Sequence, residues 1–205
     1  MISAKKIYLA SRSPRRRELL TQIGVGFDLL LLRDDVARGV DVDESPLSGE
    51  HPHDYVLRVS RAKAEVGLQR VQQRRLPIFP ILAADTAVVL DGKIMGKPTD
   101  RDEAIEMLLA LSGRTHEVFT AVTVANAIKI EQKVSLTVVQ FGKLTDQVAR
   151  HYVMTGEPFD KAGAYAIQGH AAAFIEKIEG SYSGVMGLPL FETAELLASF
   201  GIEVI

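Results

Sequence analysis

The sequence predicts an α/β fold built around a mixed sheet. Short apolar runs rich in β-branched and aromatic residues, typical of strands, alternate along the chain with segments whose apolar residues recur at helical spacing. Residues 118–127 and 129–141 alternate well enough to form paired strands, and Asp91-Gly92 is a hairpin turn signal. No internal repeat, low-complexity tract or linker divides the 205 residues, so we expect a single domain over residues 1–205.

The first elements are assigned from the N-terminal end. Residues 6–10 predict a buried strand, after which Ser13 is a candidate N-cap and Pro14 a candidate first helical residue. Apolar residues at helical spacing continue to Gly24, which ends the helix, and residues 27–32 predict a second strand. Residues 33–52 form a long acidic loop, and loops of this length in compact domains are usually functional or mobile. Its acidic residues include Asp34, Asp35, Asp41, Asp43 and Glu44.

The remaining elements continue the alternation of helices and strands. The middle of the chain predicts a helix from about residue 53 to 71, an apolar strand over 78–84 that ends at Asp85, a strand over 86–90, its hairpin partner over 93–95 and a helix over about 100–111. After the paired strands, we predict a short helix over 146–154, a turn-rich segment over 157–169, a strand over 172–178, a glycine-rich loop over 180–189 and a closing helix over 190–200.

Composition excludes several classes of protein and of site. Cysteine is absent, which excludes a disulfide framework, a thiol nucleophile and a cysteine-based zinc site, and fits a reducing compartment. The formal net charge of −2 argues against a general nucleic-acid binder, whose domains are usually strongly basic. No apolar run approaches the roughly 20 residues that a membrane span needs, and no signal peptide is visible. We therefore expect a cytoplasmic protein with no nucleic-acid or membrane partner.

Arginines crowd the turn between the first predicted strand and helix, in Ser11-Arg12-Ser13-Pro14-Arg15-Arg16-Arg17. The N-terminus of a helix carries a partial positive charge, so stacked arginines are unfavourable there unless an anion lies among them. Backbone N–H groups, serine hydroxyls and guanidinium groups together suit a polyphosphate. The alternative is a solvated basic turn whose arginines pair with nearby acids.

Asp85 is a candidate functional carboxylate because it is predicted at the tip of an otherwise apolar strand. Open α/β folds present catalytic carboxylates and metal ligands to a cleft from this position, although an Asp there can also merely end the strand in an Asx-type turn. Gly96-Lys97-Pro98 holds a lysine on a stiff loop, and Gln168 follows small residues that let the backbone approach a ligand. A glutamine amide can read a base edge as donor and acceptor. A surface lysine and a satisfied loop glutamine are the alternatives.

Several short motifs occur in a specific order over nearly the whole chain. They are Leu9-Ala10-Ser11-Arg12-Ser13-Pro14-Arg15-Arg16, Ala84-Asp85-Thr86, Gly96-Lys97-Pro98, Ser112-Gly113-Arg114-Thr115-His116, Asp160-Lys161-Ala162-Gly163-Ala164-Tyr165 and Gly187-Leu188-Pro189-Leu190. In this order they resemble the Maf family. The resemblance implies a nucleoside triphosphate pyrophosphatase that cuts between the α and β phosphates. It also implies an elongated mixed-sheet α/β fold with two lobes and a deep cleft, similar to inosine triphosphate pyrophosphatases, a divalent metal (Mg²⁺ or Mn²⁺) and a homodimer.

The resemblance also implies roles for individual residues. Asp85 matches the proton acceptor of the family. The positions that match its substrate-specificity residues are Arg15, Thr86 and Gln168. Positions that match other residues lining its cleft are Ser11, Arg16, Lys63 and Lys97, and the carboxylates matched to the metal are Glu44 and Asp85. Residues 164–169 are similar to the branch of the family that acts on dTTP and UTP.

The main hypothesis is therefore hydrolysis of dTTP and UTP, including modified pyrimidine nucleotides, to the monophosphate and pyrophosphate. Local arginine and lysine together with a divalent cation are what binding a triphosphate requires. The alternative is a non-enzymatic nucleotide-binding regulator of cell division or septum formation. Such a regulator would bind the nucleotide without turning it over.

Overall fold

The structure, a computed structural model, describes residues 6–33 and 39–204. Residues 1–5, on which part of the signal-peptide prediction rests, and Asp34 and Asp35 of the predicted acidic loop lie outside those ranges. The described strands are β1 (Ile7–Leu9), β2 (Phe27–Leu29), β3 (Ile81–Leu90), β4 (Lys93–Met95), β5 (Thr115–Ala125), β6 (Ile130–Phe141) and β7 (Ile175–Glu179). The described α-helices are α1 (Pro14–Gln22), α2 (Pro52–Gln73), α3 (Arg101–Leu111), α4 (Asp146–Met154), α5 (Tyr182–Val185) and α6 (Leu190–Ser199). Short 3₁₀ helices cover Ala162–Ala164 and His170–Phe174.

The strands form one mixed sheet in the order β2-β1-β3-β5-β6-β7, and β4 also pairs with β3. β1 is parallel to β2 and β3, whereas β3, β4, β5, β6 and β7 pair with one another in antiparallel fashion. β3 and β5 lie at the centre of the sheet, and their side chains are almost all buried because helices cover both faces. The mixed α/β fold class predicted from the sequence is confirmed.

Side chains of β3 alternate between the two faces of the sheet, as the pleat of a strand requires. On one face, Ala83 packs against α2. On the other face, Leu82 packs against α1 and α6, and Val88 packs against α3 and α4. Asp85 therefore faces α2, whereas Thr86 faces the opposite side of the sheet.

One edge of β3 changes its partner strand along its length. β5 pairs with the opposite edge of β3 from Ile81 to Val89, so β1 and β4 must both pair with the remaining edge. Ile81 and Leu82 pair with β1, and pairing with β4 begins at Val88. Within the described chain, no strand lies beside residues 83–87 on this edge. The chain leaves β1 at this gap and enters α1, which brings the arginine turn to the gap.

The prediction that a strand ends at Asp85 is wrong. The ladder with β5 continues through Asp85 to Val89, so residues 86–90 belong to the same strand. The carboxyl group does not interrupt the strand because Lys63 of α2 forms an ion pair with it. Asp85 thus lies in the middle of a central strand and is accessible through the gap in its edge.

Other predicted elements also differ from the structure. The predicted strand over 27–32 ends at Leu29, the one predicted from residue 78 begins at Ile81, and the one predicted over 118–127 is Thr115–Ala125. Residues 170–174 form a 3₁₀ helix, and β7 begins only at Ile175, because the run of alanines at 171–173 has little preference for a strand. The glycine-rich loop over 180–189 contains the short helix α5. The predicted helices otherwise agree with the structure to within two residues at each end. None of the described helices is both long enough and apolar enough to span a membrane.

Candidate active site

A deep cleft opens at the gap in the β3 edge. It consists of two adjoining cavities of about 430 and 470 Å³, which share the side chains of Ser13, Arg15, Arg16, Glu44, Lys63, Lys97, Asp160 and Lys161 and are therefore continuous. Asp85, Thr86 and Gln168 line the first cavity, and Ser11 lines the second. The structure thus brings every candidate site residue of the sequence analysis to one cleft.

Asp85 and Glu44 share a single lysine. Lys63 Nζ lies 2.8 Å from Asp85 Oδ1 and 3.0 Å from Glu44 Oε1. The side chains of Lys63 and Asp85 are only 13% and 8% exposed, whereas that of Glu44 is 47% exposed. Helix α2 positions Lys63. Glu44 lies on the loop before α2, and its backbone carbonyl accepts a hydrogen bond from the Tyr55 hydroxyl at 2.9 Å.

Only one oxygen of Asp85 is engaged by the described residues. Oδ2 is buried and has no hydrogen-bond partner there, although a buried carboxylate oxygen normally has one. Burial raises the pKa of the Asp85 carboxyl, while the positive charges of Lys63 and Arg16 oppose that rise. A buried carboxylate with one free oxygen facing a cleft can accept a proton or contact a cation.

Arg16 and Arg15 hold the turn before α1 through neutral oxygen atoms. Arg16 donates to Gly187 O at 2.7 Å, Ser11 Oγ at 3.2 Å and Thr86 Oγ1 at 3.2 Å. Arg15 donates to Met186 O at 3.3 Å. Burial lowers the pKa of both guanidinium groups, because each charge is partly removed from water. In the described part of the chain neither one is paired with a carboxylate, so these two arginines do not fit the alternative in which the turn pairs with nearby acids.

The N-terminus of α1 is also left open to a ligand. Ser13 takes the predicted N-cap position, but its side chain caps no helical N–H, and its own N–H donates to Ser11 Oγ at 3.2 Å. The first turn of α1 contains no acidic residue. A helix N-terminus without a capping side chain or an acid is suited to an anion.

The cleft is basic although the chain as a whole is slightly acidic. Its basic side chains are Arg12, Arg15, Arg16, Arg33, Lys63, Lys97 and Lys161, and its acidic ones are Glu44, Asp85 and Asp160. Sequence reasoning assigned no role to Lys161. Burial lowers the pKa of Lys161, and the nearby charge of Arg15 lowers it further. The sequence did contain a signal for Lys161, because a single lysine stands among small residues in a segment already considered for ligand binding.

A chain of hydroxyl groups fixes the hydrogen-bonding character of Thr86. The Thr120 hydroxyl lies 2.8 Å from Gly184 O, which can only accept, and 3.0 Å from Thr86 Oγ1. Thr120 shares its proton between these two acceptors, so Thr86 Oγ1 accepts from Thr120 as well as from Arg16. With both lone pairs of Thr86 Oγ1 engaged, its own proton is left for a ligand, to which the hydroxyl can only donate.

Two loops are joined at the other side of the cleft. The N–H of Gly163 donates to Gly96 O at 3.1 Å, which ties the loop of Lys97 to the segment that leads to Gln168. Gly163 has a positive φ of 70°, and a Cβ at this position would lie 2.8 Å from Val88 Cγ1. Only glycine fits this contact without displacing β3. Lys97 and Gln168 themselves are exposed in the cleft.

Comparison with known proteins agrees with this geometry. The family model described as "Maf-like protein" matches residues 6–200. The dTTP/UTP pyrophosphatase of Nitrosomonas europaea is 56% identical over 198 residues, which cover 97% of this chain and 96% of that protein. The dTTP/UTP pyrophosphatase of Aromatoleum aromaticum is 56% identical over 197 residues, covering 96% of each.

Among solved structures, the Staphylococcus aureus Ham1 protein superimposes with a TM-score of 0.50 and 14% sequence identity, over 96% of this chain and 97% of that one. At this level of identity the likeness concerns the fold alone, and it agrees with the predicted Ham-like architecture. Since the family model extends over nearly the whole chain and includes the cleft, this protein belongs to the Maf family.

Proposed function

We propose that this protein hydrolyses dTTP and UTP to the nucleoside monophosphate and pyrophosphate. The observation that carries the proposal is the cleft itself, in which a buried carboxylate, Asp85, shares one space with Arg15 and Arg16, and within the described residues Asp85 Oδ2 has no hydrogen-bond partner and neither arginine has a carboxylate partner. Relatives that are more than half identical over nearly their full length are named dTTP/UTP pyrophosphatases, which supports the choice of nucleotide.

The triphosphate binds to the basic part of the cleft. Arg15, Lys97 and Lys161 present positive charge there, and the uncapped N-terminus of α1 adds backbone N–H donors. Arg16 completes this surface and also holds Ser11 and Thr86 in place. The anion adds negative charge where basic side chains outnumber acidic ones in the cleft.

Hydrolysis transfers the α-phosphoryl group to water. The water oxygen forms a bond to the α-phosphorus, the bond from that phosphorus to the α–β bridging oxygen breaks, and its electron pair leaves with pyrophosphate. Asp85 accepts the proton that the attacking water loses. A raised pKa improves a carboxylate as a base near neutral pH, and the burial of Asp85 acts in this direction.

The residues present fit a divalent metal such as Mg²⁺ or Mn²⁺. The free Oδ2 of Asp85 and the half-exposed carboxylate of Glu44 are oxygen ligands of the type that hard cations prefer. Within residues 6–33 and 39–204 no cluster of three potential metal-ligating side chains exists, so phosphate and water oxygens would complete the coordination. When bound, the metal would neutralise charge on the phosphates and on the leaving group.

Recognition of the base depends on Thr86 and Gln168. Uracil and thymine present a donor at N3 and an acceptor at O4, whereas cytosine presents an acceptor at N3 and a donor at its amino group. The hydroxyl of Thr86 donates to O4, and the amide oxygen of Gln168 accepts from the N3–H group. Cytosine would place its amino donor against the Thr86 hydroxyl proton, and leaving a buried polar group unpaired costs about 1–3 kcal/mol.

The test is a panel of triphosphates incubated with Mg²⁺ or Mn²⁺, with pyrophosphate and monophosphate both measured. We expect dTTP and UTP, and their modified forms, to be cut faster than CTP, dCTP and the purine triphosphates. Equal rates on ATP and UTP would contradict the proposed specificity. Binding of nucleotide without release of pyrophosphate would favour the non-enzymatic regulator.

A further inference from the structure

Gln168 lies on a tight turn whose backbone is held on both sides. The N–H of Gly169 donates to Ala166 O at 3.0 Å, which closes a turn with Ile167 and Gln168 at its centre. The side chain of Gln168 is exposed in the cleft and makes no hydrogen bond with another described residue. Its direction is therefore set by the backbone that carries it.

A partly buried carboxylate holds the C-terminal side of this turn. Glu157, 17% exposed, accepts at Oε2 from the backbone N–H of His170 at 3.1 Å, and the same oxygen lies 2.9 Å from His170 Nδ1. A Cβ added at Gly169 would lie 2.3 Å from this carboxylate, so the carboxylate fills the space beneath the turn. A side chain at position 169 would therefore displace the Glu157 carboxylate from the turn.

The same carboxylate reaches the N-terminal side of the turn through a tyrosine. The Tyr152 hydroxyl donates its one proton to Glu157 Oε1 at 2.8 Å, and its oxygen accepts from the N–H of Ala166 at 3.1 Å. Because the single phenol proton of Tyr152 goes to Glu157, the Tyr152 oxygen is left as the acceptor for the Ala166 N–H. Burial raises the pKa of Glu157, but hydrogen bonds from His170 and Tyr152 outweigh this and hold the pKa below its usual range.

Neither Tyr152 nor Glu157 lines the cleft. Tyr152 belongs to α4 and packs its ring edge-on against Phe174 at 5.2 Å, and Glu157 follows the end of that helix. Glu157 also acts on the cleft through its charge, which raises the pKa of Lys161, but this effect on the phosphate site is the same for UTP and CTP. An effect on the choice between the two bases must therefore pass through the turn. Hydrogen bonds on both sides of a turn restrict its backbone more than a hydrogen bond on one side alone.

We propose that Tyr152 and Glu157 are positioning residues that orient Gln168 and so set the selection of uracil and thymine over cytosine. The inference rests on the proposed function, because it assumes that Gln168 reads the base. It assigns the selectivity to two residues outside the cleft, which contact the turn that carries Gln168 and not the nucleotide itself.

The test compares kcat/KM for UTP and for CTP in the wild type, Tyr152→Phe and Glu157→Gln. Tyr152→Phe keeps the ring packing but leaves the Ala166 N–H without its acceptor, and we expect the UTP:CTP ratio to fall about 5- to 10-fold, as for a lost buried hydrogen bond. The matched control is Tyr8→Phe, which removes a hydroxyl bonded to Pro77 O at 3.1 Å, away from the cleft. Its ratio should stay at the wild-type value.

A double-mutant cycle separates positioning from a general loss of stability. In a Gln168→Ala background, the further change Tyr152→Phe should leave the UTP:CTP ratio unchanged, because the side chain it orients is gone. Equal losses in both backgrounds, or an unchanged ratio with a lowered melting temperature, would overturn the inference. If Tyr152→Phe does not fold, Glu157→Gln carries the same cycle. A wild type without preference for UTP overturns the proposed function and the inference together, whereas a wild-type preference that survives both variants overturns the inference alone.

Discussion

At the scale of single residues, opposing effects act on the pKa of the Asp85 carboxyl. Burial favours its neutral form, whereas Lys63 and Arg16 favour its charged form. Lys63 occupies Oδ1 and leaves Oδ2 free, so the carboxylate is held in place by one oxygen and open to a ligand at the other. This division fits a group that must stay fixed while it accepts a proton.

Asp85→Asn tests that role directly. The amide keeps the size of the side chain but cannot accept the proton of water, so we expect turnover of UTP to fall about 10²- to 10⁴-fold. Circular dichroism should show an intact fold. Asp91→Asn is a suitable control, because Asp91 lies in the β3–β4 hairpin with a positive φ of 51°, which asparagine also adopts readily. Near-normal turnover in folded Asp85→Asn protein would remove Asp85 from the mechanism.

The sequence identified Asp85 but not its place in the strand. An acidic residue after four apolar ones looks like a strand end when only the chain is read. The strand continues because β5 supplies a full ladder and α2 supplies Lys63, and both partners are distant in sequence. Thr86 could be predicted because it follows Asp85, but the hydrogen bond that its oxygen accepts comes from Thr120, which only the pairing of β3 with β5 brings near.

At the scale of elements, α2 organises the described part of the acidic loop. Asp41 forms ion pairs with Arg70 of α2 and with Arg33, at 3.1 Å from Arg33 Nε. Glu50 accepts from Arg58 of α2 at 2.6 and 2.8 Å. These arginines fix the loop that carries Glu44 beside Lys63. The prediction of a functional or mobile loop could not foresee this, because Asp41 and Arg70 are separated by 29 positions.

Asp41→Asn should therefore lower the free energy of unfolding by about 1–3 kcal/mol at neutral pH, as expected for a lost charged hydrogen bond. Arg70 holds the pKa of Asp41 at about 2, against an ordinary value of 3.8. Because the pKa of Asp41 is lower in the folded than in the unfolded protein, its carboxylate stabilises the fold at pH values above about 3.8. This stabilisation is lost as the pH falls towards 2. The gap between wild type and variant should thus close below about pH 4 in urea unfolding. Asp43→Asn, whose carboxylate bonds to Ser45 of its own loop, should cost less. A gap that is independent of pH would contradict this assignment.

At the scale of the whole molecule, a histidine lies inside the core that α3 and α4 form on the sheet. His116 Nε2 is 2.8 Å from the Tyr165 hydroxyl, and its ring packs edge-on against Phe141 at 5.1 Å. Nδ1 is buried with no hydrogen-bond partner among the described residues. Burial lowers the pKa of His116 to about 4.

The buried His116 makes the free energy of unfolding depend on pH in a range above that in which Asp41 of the acidic loop titrates. The unfolded chain takes up a proton on His116 near its ordinary pKa of 6.5, whereas the folded chain does so only near 4. The free energy of unfolding should therefore fall as the pH drops from about 6.5 to about 4. His116→Gln should flatten this slope, and His151→Gln, on the exposed side of α4, should not. An unchanged slope in His116→Gln would assign the dependence to other groups.

The gap in the β3 edge gives the central strand an unusual pattern of amide protection. The N–H of Ala10 donates to Leu82 O, so by alternation the backbone groups of Ala84 and Thr86 point to the gap in this edge, and those of residues 83, 85 and 87 point to β5. Amides in the middle of a sheet normally exchange with deuterium only on global unfolding. Here we expect Ala84 and Thr86 to exchange faster than their neighbours in the free protein and to slow when a non-hydrolysable UTP analogue is added. Uniform protection along β3 would contradict this. A largely buried central strand would then report, through two alternate amides, whether the cleft is filled.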